Sequence, residues 1–267
     1  MQAMQLMDAR VRGAGSTSVD MENLRFFGMS GIVLSPPAYP AATVEEVLGR
    51  FHALLGEERR RATAAGLSVW VMLGVHPCWA PRRDVHQILH RLPELLRREG
   101  VVGVGELGLL DGTPPELDLL HRQLEAAGDA GLPVVLHFPG GDGYRLTALA
   151  LDALLEVGFP PGRALVAGVS AETLELVQAA GARAGVTLGG EPLGRAVGVG
   201  LLRQAGPSDA IVDGGLGDGA CDLLAIPKAA EELLAGGWSE DDIGRVMRDN
   251  AAKFFGVAPL LVADPVT

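Results

Sequence analysis

The sequence predicts a single (β/α)8 TIM barrel, with an extra helix at its C-terminal end. Three observations predict it. Short apolar runs, too continuous for a strand with one wet face, alternate eight times with longer stretches of helical periodicity. Glycine-terminated helix stops ("AAG", "REG", "DAG" and a second "AAG") stand directly before four of the runs. The length, 267 residues, suits one such barrel, and Pro and Gly are spread along the chain without forming a linker, so 1–267 reads as one domain.

The elements follow in order. Strand one is "QLMDARV" (5–11), and strand alternation puts Arg10 and Arg12 on one side of it. Strand two is "GIVLSP" (31–36). A helix follows on the spacing of Val44, Val47, Leu48, Phe51 and Leu55. Strand three, "LSVWVMLGV" (67–75), runs into His76 and Cys78, and Ile88, Leu92, Leu95 and Leu96 mark the next helix. Strand four is "VVGVGEL" (101–107) and carries Glu106; strand five is "LPVVLHF" (132–138) and carries His137. Strands six to eight are "RALVAGV" (163–169), "ARAGVTLG" (182–189) and "DAIVDGG" (209–215). The added helix covers about 241–255, with "WSEDD" as its N-terminal cap.

Composition narrows the function classes. Hydrophobic residues make up 48% and aromatics only 4%, so Ala, Val, Leu and Gly must fill a large core. The net charge of −11 opposes nucleic acid and acidic membrane surfaces, and the clusters "GEERRRATAAG" and "HRLPELLRREG" read as solvated helix faces. No signal-peptide pattern and no apolar run of membrane-spanning length is seen, and two distant cysteines make no disulfide framework. The expectation is a cytoplasmic protein with no nucleic-acid or membrane partner; a homo-oligomer is compatible with it.

In TIM barrels the chemistry sits at the C-terminal ends of the strands. Those ends offer Asp8, Arg10 and Arg12, then His76 and Cys78, Glu106, His137, and two glycine-rich segments, "TLGGEPLG" and "VDGGLGDGAC". His52, His86, His90 and His121 fall on helices outside the barrel and receive no role; Lys228 and Asn250 read as fold-supporting.

Four motifs in this order, "GVHP", "VGVGELGL", "LPVVLHFP" and "DNAAKFFGV", resemble the TatD-related metal-dependent hydrolases of the amidohydrolase superfamily. The resemblance implies a TIM barrel with one or two divalent metals at its mouth. It also implies metal ligands: an H-x-H pair falling on Arg10 and Arg12, a Glu on Glu106, a His on His137, another His near Gly168, and an Asp near Gly215. Guanidinium stays protonated and has no lone pair for a cation. Glu106 and His137 alone fall short of the three protein ligands usual in a catalytic zinc site. The expectation is therefore no catalytic metal and no cofactor.

The leading reading is a metal-independent enzyme acting on an anionic small molecule. Arg10 and Arg12 would bind its charge in bidentate fashion, with His76, Gly189, Gly190, Asp213, Gly214 and Gly215 lining the site. Glu191 and Asp218 flank the same loops with opposite charge. Glu106 and His137 would move protons. Two alternatives stay open: a metal-dependent hydrolase with a residual site of Glu106, His137 and Asp213, and a non-catalytic binding or scaffold protein. In the last case Arg10 and Arg12 would simply pair with Glu106 and Asp8.

Overall fold

The structure, a computed structural model, describes residues 5–13, 16–76, 78, 84–139, 141–190, 194–217 and 221–258. Eight parallel strands appear in sequence order: β1 (Leu6–Val11), β2 (Met29–Leu34), β3 (Ser68–Met72), β4 (Val101–Leu107), β5 (Val134–Leu136), β6 (Ala164–Ala167), β7 (Arg183–Thr187) and β8 (Ala210–Asp213). Helices alternate with them: α1 (Ser18–Phe26), α2 (Val44–Ala53) continuing through a π turn into α3 (Arg59–Ala64), α4 (Val85–Leu96), α5 (Pro114–Ala130), α6 (Gly143–Glu156), α7 (Ala171–Ala179), α8 (Gly194–Ala205) and α9 (Ala225–Ala235). The added C-terminal helix is there as well, as α10 (Glu240–Gly244), a π turn and α11 (Asn250–Phe255). This is the (β/α)8 barrel that the alternation predicts. Its strands are parallel because each return passes through a helix.

Local chemistry sets the element ends. Gly66 and Gly131, the stops before β3 and β5, have φ of 86° and 68°, a conformation that costs other residues a steric penalty. The Ser239 hydroxyl accepts the Asp242 N–H and caps α10. β5 pairs over only three residues because Pro133 has no N–H to give a ladder.

The core has two layers. Leu6, Val11, Ile32, Leu34, Val71, Val104, Leu136 and Val212 face the helices in the larger outer layer. Met7, Ala9, Val33, Met72, Val135, Leu165 and Ile211 fill the barrel interior, and Phe255 plugs it with Val102, Ala251 and Ala252. Gly103 makes room for that plug, since a Cβ there would lie 3.1 Å from the Phe255 ring. Asn250 ties the closing helix to the barrel by donating to the carbonyls of Pro207 and Ala210, the supporting part expected of it.

Candidate active site

Parallel pairing runs from β1–β2 through to β7–β8. β1 and β8 then meet through other groups. The Arg12 N–H donates to the Leu216 carbonyl at 3.0 Å. The Asp8 carboxyl group accepts the backbone N–H of Arg10 at 2.9 Å and of Gly214 at 3.1 Å, so it staples the two strands. This seam lies at the mouth, where the polar side chains gather.

A β-bulge brings the arginines there. Met7 and Ala9 point into the barrel but Leu6 and Val11 point out, so the alternation breaks between Ala9 and Val11. The β1–β2 register shifts at the same place. In an unbroken pleat Arg10 would share the outward face of Leu6; the extra residue turns it inward beside Arg12. Both arginines then reach across to β4, as the shared parity of 10 and 12 requires.

Arg12 grips Glu106 with two donors: Nε to Oε1 at 2.9 Å, and Nη2 to Oε2. Arg10 Nη1 approaches the same Oε2 at 3.4 Å, while its Nη2 donates to Asp213 Oδ1 at 2.8 Å and to Thr187 Oγ1 at 3.3 Å. Thr187 in turn donates to Asp213 Oδ2 at 2.9 Å, and the Gly215 N–H donates to Oδ1 at 3.0 Å. Both guanidiniums are 4% exposed and Glu106 is fully buried. Such a pair must be well formed, because the cost of removing ions from water is recovered only by close, hydrogen-bonded partners.

His76 and His137 complete the group. Their rings meet edge to face, with centroids 5.8 Å apart. His137 Nδ1 lies 3.4 Å and His76 Nε2 4.0 Å from Glu106 Oε2. His76 is wholly buried, and its Nδ1 accepts the backbone N–H of Cys78 at 3.1 Å. His137 keeps 19% of its side chain open to solvent, more than the other charged or imidazole groups here. His76, Glu106 and His137 place nitrogen or oxygen atoms within 4.8 Å of one another and so can be considered for a metal ion.

The electrostatics follow from burial and charge. Burial pulls the His76 pKa down to about 4 and that of His137 to about 3, against the opposing pull of Glu106, so both are neutral at pH 7. Burial would raise the Glu106 pKa, but Arg10 and Arg12 outweigh it and hold the carboxyl well below its ordinary range. Burial likewise opposes the charge on Arg10, and Asp213 and Glu106 more than restore it. Asp8 is pushed from 3.8 up to about 7, by burial first and Asp213 second. The Cys78 thiol is raised by burial, which argues against a ready nucleophile.

Thus the structure brings Arg10, Arg12, His76, Glu106, His137 and Asp213 together. The glycines fill a different part. A Cβ on Gly189 would sit 2.2 Å from the Gly214 carbonyl, and one on Gly214 2.7 Å from Asp8 Oδ2. Gly215 has φ of 68° and lies against Gly190. These positions allow the ends of β7, β8 and β1 to close up, and the Gly214 and Gly215 N–H groups serve the protein's own Asp8 and Asp213. Glu191 and Asp218 lie outside the described residues. Thr187 is a partner that the sequence does not reveal, and Asp8, which the non-catalytic alternative pairs with an arginine, staples backbone.

Residues 51–157 match the family model for TatD-related DNases. An uncharacterized metal-dependent hydrolase of Methanocaldococcus jannaschii is 31% identical over 159 residues, which span 59% of this chain and 63% of that protein. Over these stretches the chain is similar to the TatD family. The TatD-like protein of Archaeoglobus fulgidus has the same barrel, with a TM-score of 0.79 at 22% identity, over 94% of this chain and 100% of that one. The TatD homolog YjjV of Escherichia coli gives 0.70 at 20% identity, over 96% and 100%. The matched segment carries His76, Glu106 and His137 and leaves out residues 10 and 12, where the resemblance implies histidine ligands and this chain has arginines.

Proposed function

We propose that this TatD-related barrel is an enzyme that acts on a small anionic molecule without a catalytic divalent metal. The bidentate grip of Arg12 on Glu106 carries the reading. Both carboxylate oxygens face guanidinium donors at hydrogen-bond range. A divalent ion bound to Glu106 would stand beside two fixed positive charges, Arg10 and Arg12, in a buried and weakly screened place. The residues present do not fit the metal that the family implies.

His137 is then the group left to move protons. It is neutral and partly open, and its Nδ1 stands 3.4 Å from the Glu106 carboxylate without a hydrogen bond, a separation that must shorten on substrate binding for Glu106 to orient a general base. Glu106, held ionised by its two arginines, orients the imidazole and does not itself carry protons. Arg10 and Arg12 are donors of the type that bind carboxylate and phosphate, hence the anionic substrate class; a substrate reaches them by displacing Glu106 or Asp213 from one fork.

Protein purified without chelator is expected to hold far less than one zinc, manganese, nickel or iron per chain. Stoichiometric metal whose binding is lost in Glu106→Ala would sink the proposal. Magnesium-stimulated cleavage of DNA or RNA is expected to be absent. Against a panel of small carboxylate and phosphate esters, activity is expected to survive chelators and to fall by about 100-fold or more in His137→Gln. The burial of Arg10, Arg12 and Glu106 against one another favours a second reading, a non-catalytic binding or scaffold barrel whose mouth charges are satisfied internally. Absence of turnover across the panel, in wild type as in His137→Gln, would select it.

A further inference from the structure

Four nitrogen atoms surround Glu106 Oε2: Arg12 Nη2 and Arg10 Nη1 (3.4 Å) in hydrogen bonds, and His137 Nδ1 at 3.4 Å and His76 Nε2 at 4.0 Å facing it without one. The guanidinium nitrogens are donors whatever the pH. The histidine nitrogens decide whether this place is made for a cation or an anion, and His76 gives the answer. A neutral imidazole carries one N–H. The Cys78 backbone N–H donates to Nδ1, so Nδ1 holds the lone pair and Nε2 holds the proton. A metal-binding histidine has the opposite arrangement, with its lone pair toward the metal and its other N–H given to a neighbour. The nitrogen that His76 turns toward Glu106 is therefore a donor. His137, with Nδ1 facing an ionised carboxylate, is drawn to the same state.

We infer that Arg10, Arg12, His76 and His137 form an anion-binding cage for a small carboxylate, and that Glu106 is its built-in occupant. The inference rests on the metal-free reading of the mouth and adds what takes the metal's place. The cage is closed on its inner side by wholly buried His76 and on its outer side by partly open His137. Truncating Glu106 removes the carboxylate and leaves its partners, which is the situation in which an added carboxylate of one or two carbons can take the vacated position.

The test is the melting temperature of Glu106→Ala in formate and in acetate, with sodium chloride at matched ionic strength. Either carboxylate, well above its dissociation constant, is expected to raise the midpoint by about 5 °C over chloride. Wild type, with its cage filled, is expected to show no such difference. An equal response to chloride, or stabilisation by zinc or manganese in place of carboxylates, would overturn the cage. Should Glu106→Ala not fold even in formate, the wild-type protein decides, through the ¹⁵N–¹H imidazole spectrum of His76 at neutral pH. A protonated Nε2 is expected, and a protonated Nδ1 would overturn the inference. A metal-free wild type whose Glu106→Ala variant ignores formate would remove the cage and leave the metal-free reading standing.

Discussion

Arg12→Ala is expected to lose about 3–5 kcal/mol of stability, because the change leaves a buried carboxylate without its main partner. In a chain of this size that lowers the melting temperature by roughly 10 °C. Glu106 is fully buried and takes both of its close hydrogen bonds from Arg12; Arg10 Nη1, at 3.4 Å, is the nearest guanidinium left to it. Arg12→Met separates charge from packing, since it keeps most of the side-chain volume and loses the fork. Arg12→Met and Glu106→Gln are each expected to be destabilising, and the double variant more stable than Arg12→Met alone, because it removes the orphaned charge. Urea unfolding of the four proteins gives the coupling energy. Additive losses would show that Arg12 and Glu106 do not act as a pair, and the charge-balance account of the mouth would fall with them.

That pair was half legible in the sequence. Glu106 and His137 stand at the ends of apolar runs that can only be buried strands, and barrel geometry sends such residues to the mouth. Alternation puts Arg10 and Arg12 on one side, and it does so in the structure. What alternation does not give is which side. The inward turn of Arg10 depends on a bulge between Ala9 and Val11, and nothing in "DARV" distinguishes a bulged strand from a regular one. Thr187 was hidden for another reason. A β-branched residue in a strand reads as a strand former, and its hydroxyl becomes visible as a link between Arg10 and Asp213 only when β7, β8 and β1 are assembled. The glycine segments "LGG" and "VDGG" carried a real signal of close backbone approach. Sequence read the approaching partner as a ligand; in the fold it is a neighbouring strand end and the carboxylate of Asp8. The sequence places His76 on the lining of the site, and its tautomer, which decides what it can bind, depends on a turn-local hydrogen bond from Cys78.

Asp8→Asn is expected to change how stability depends on pH, by about 1.4 kcal/mol for each pH unit between roughly 4 and 7. Burial and Asp213 push the Asp8 pKa from 3.8 to about 7 in the folded chain. In that window the folded protein keeps the proton and the unfolded chain has lost it. Unfolding then releases a proton, so rising pH favours the unfolded state. The contribution of Asp8 is fully present below its unfolded value and is lost as pH rises through the folded one. Asparagine has no proton to release, and groups elsewhere titrate alike in both proteins and cancel in the comparison. The variant starts at a disadvantage near pH 4. The Asp8 carboxyl receives two backbone N–H groups, from Arg10 and Gly214, and an amide can accept one while turning its own NH₂ toward the other. As pH rises toward 7 the wild type loses ground and the gap closes, by roughly 4 kcal/mol across the window. Urea titrations of both proteins at several pH values across this range measure it. A gap that stays constant would mean that Asp8 is ionised throughout, and that the β1–β8 seam is stapled by a carboxylate whose charge the two N–H groups stabilise fully.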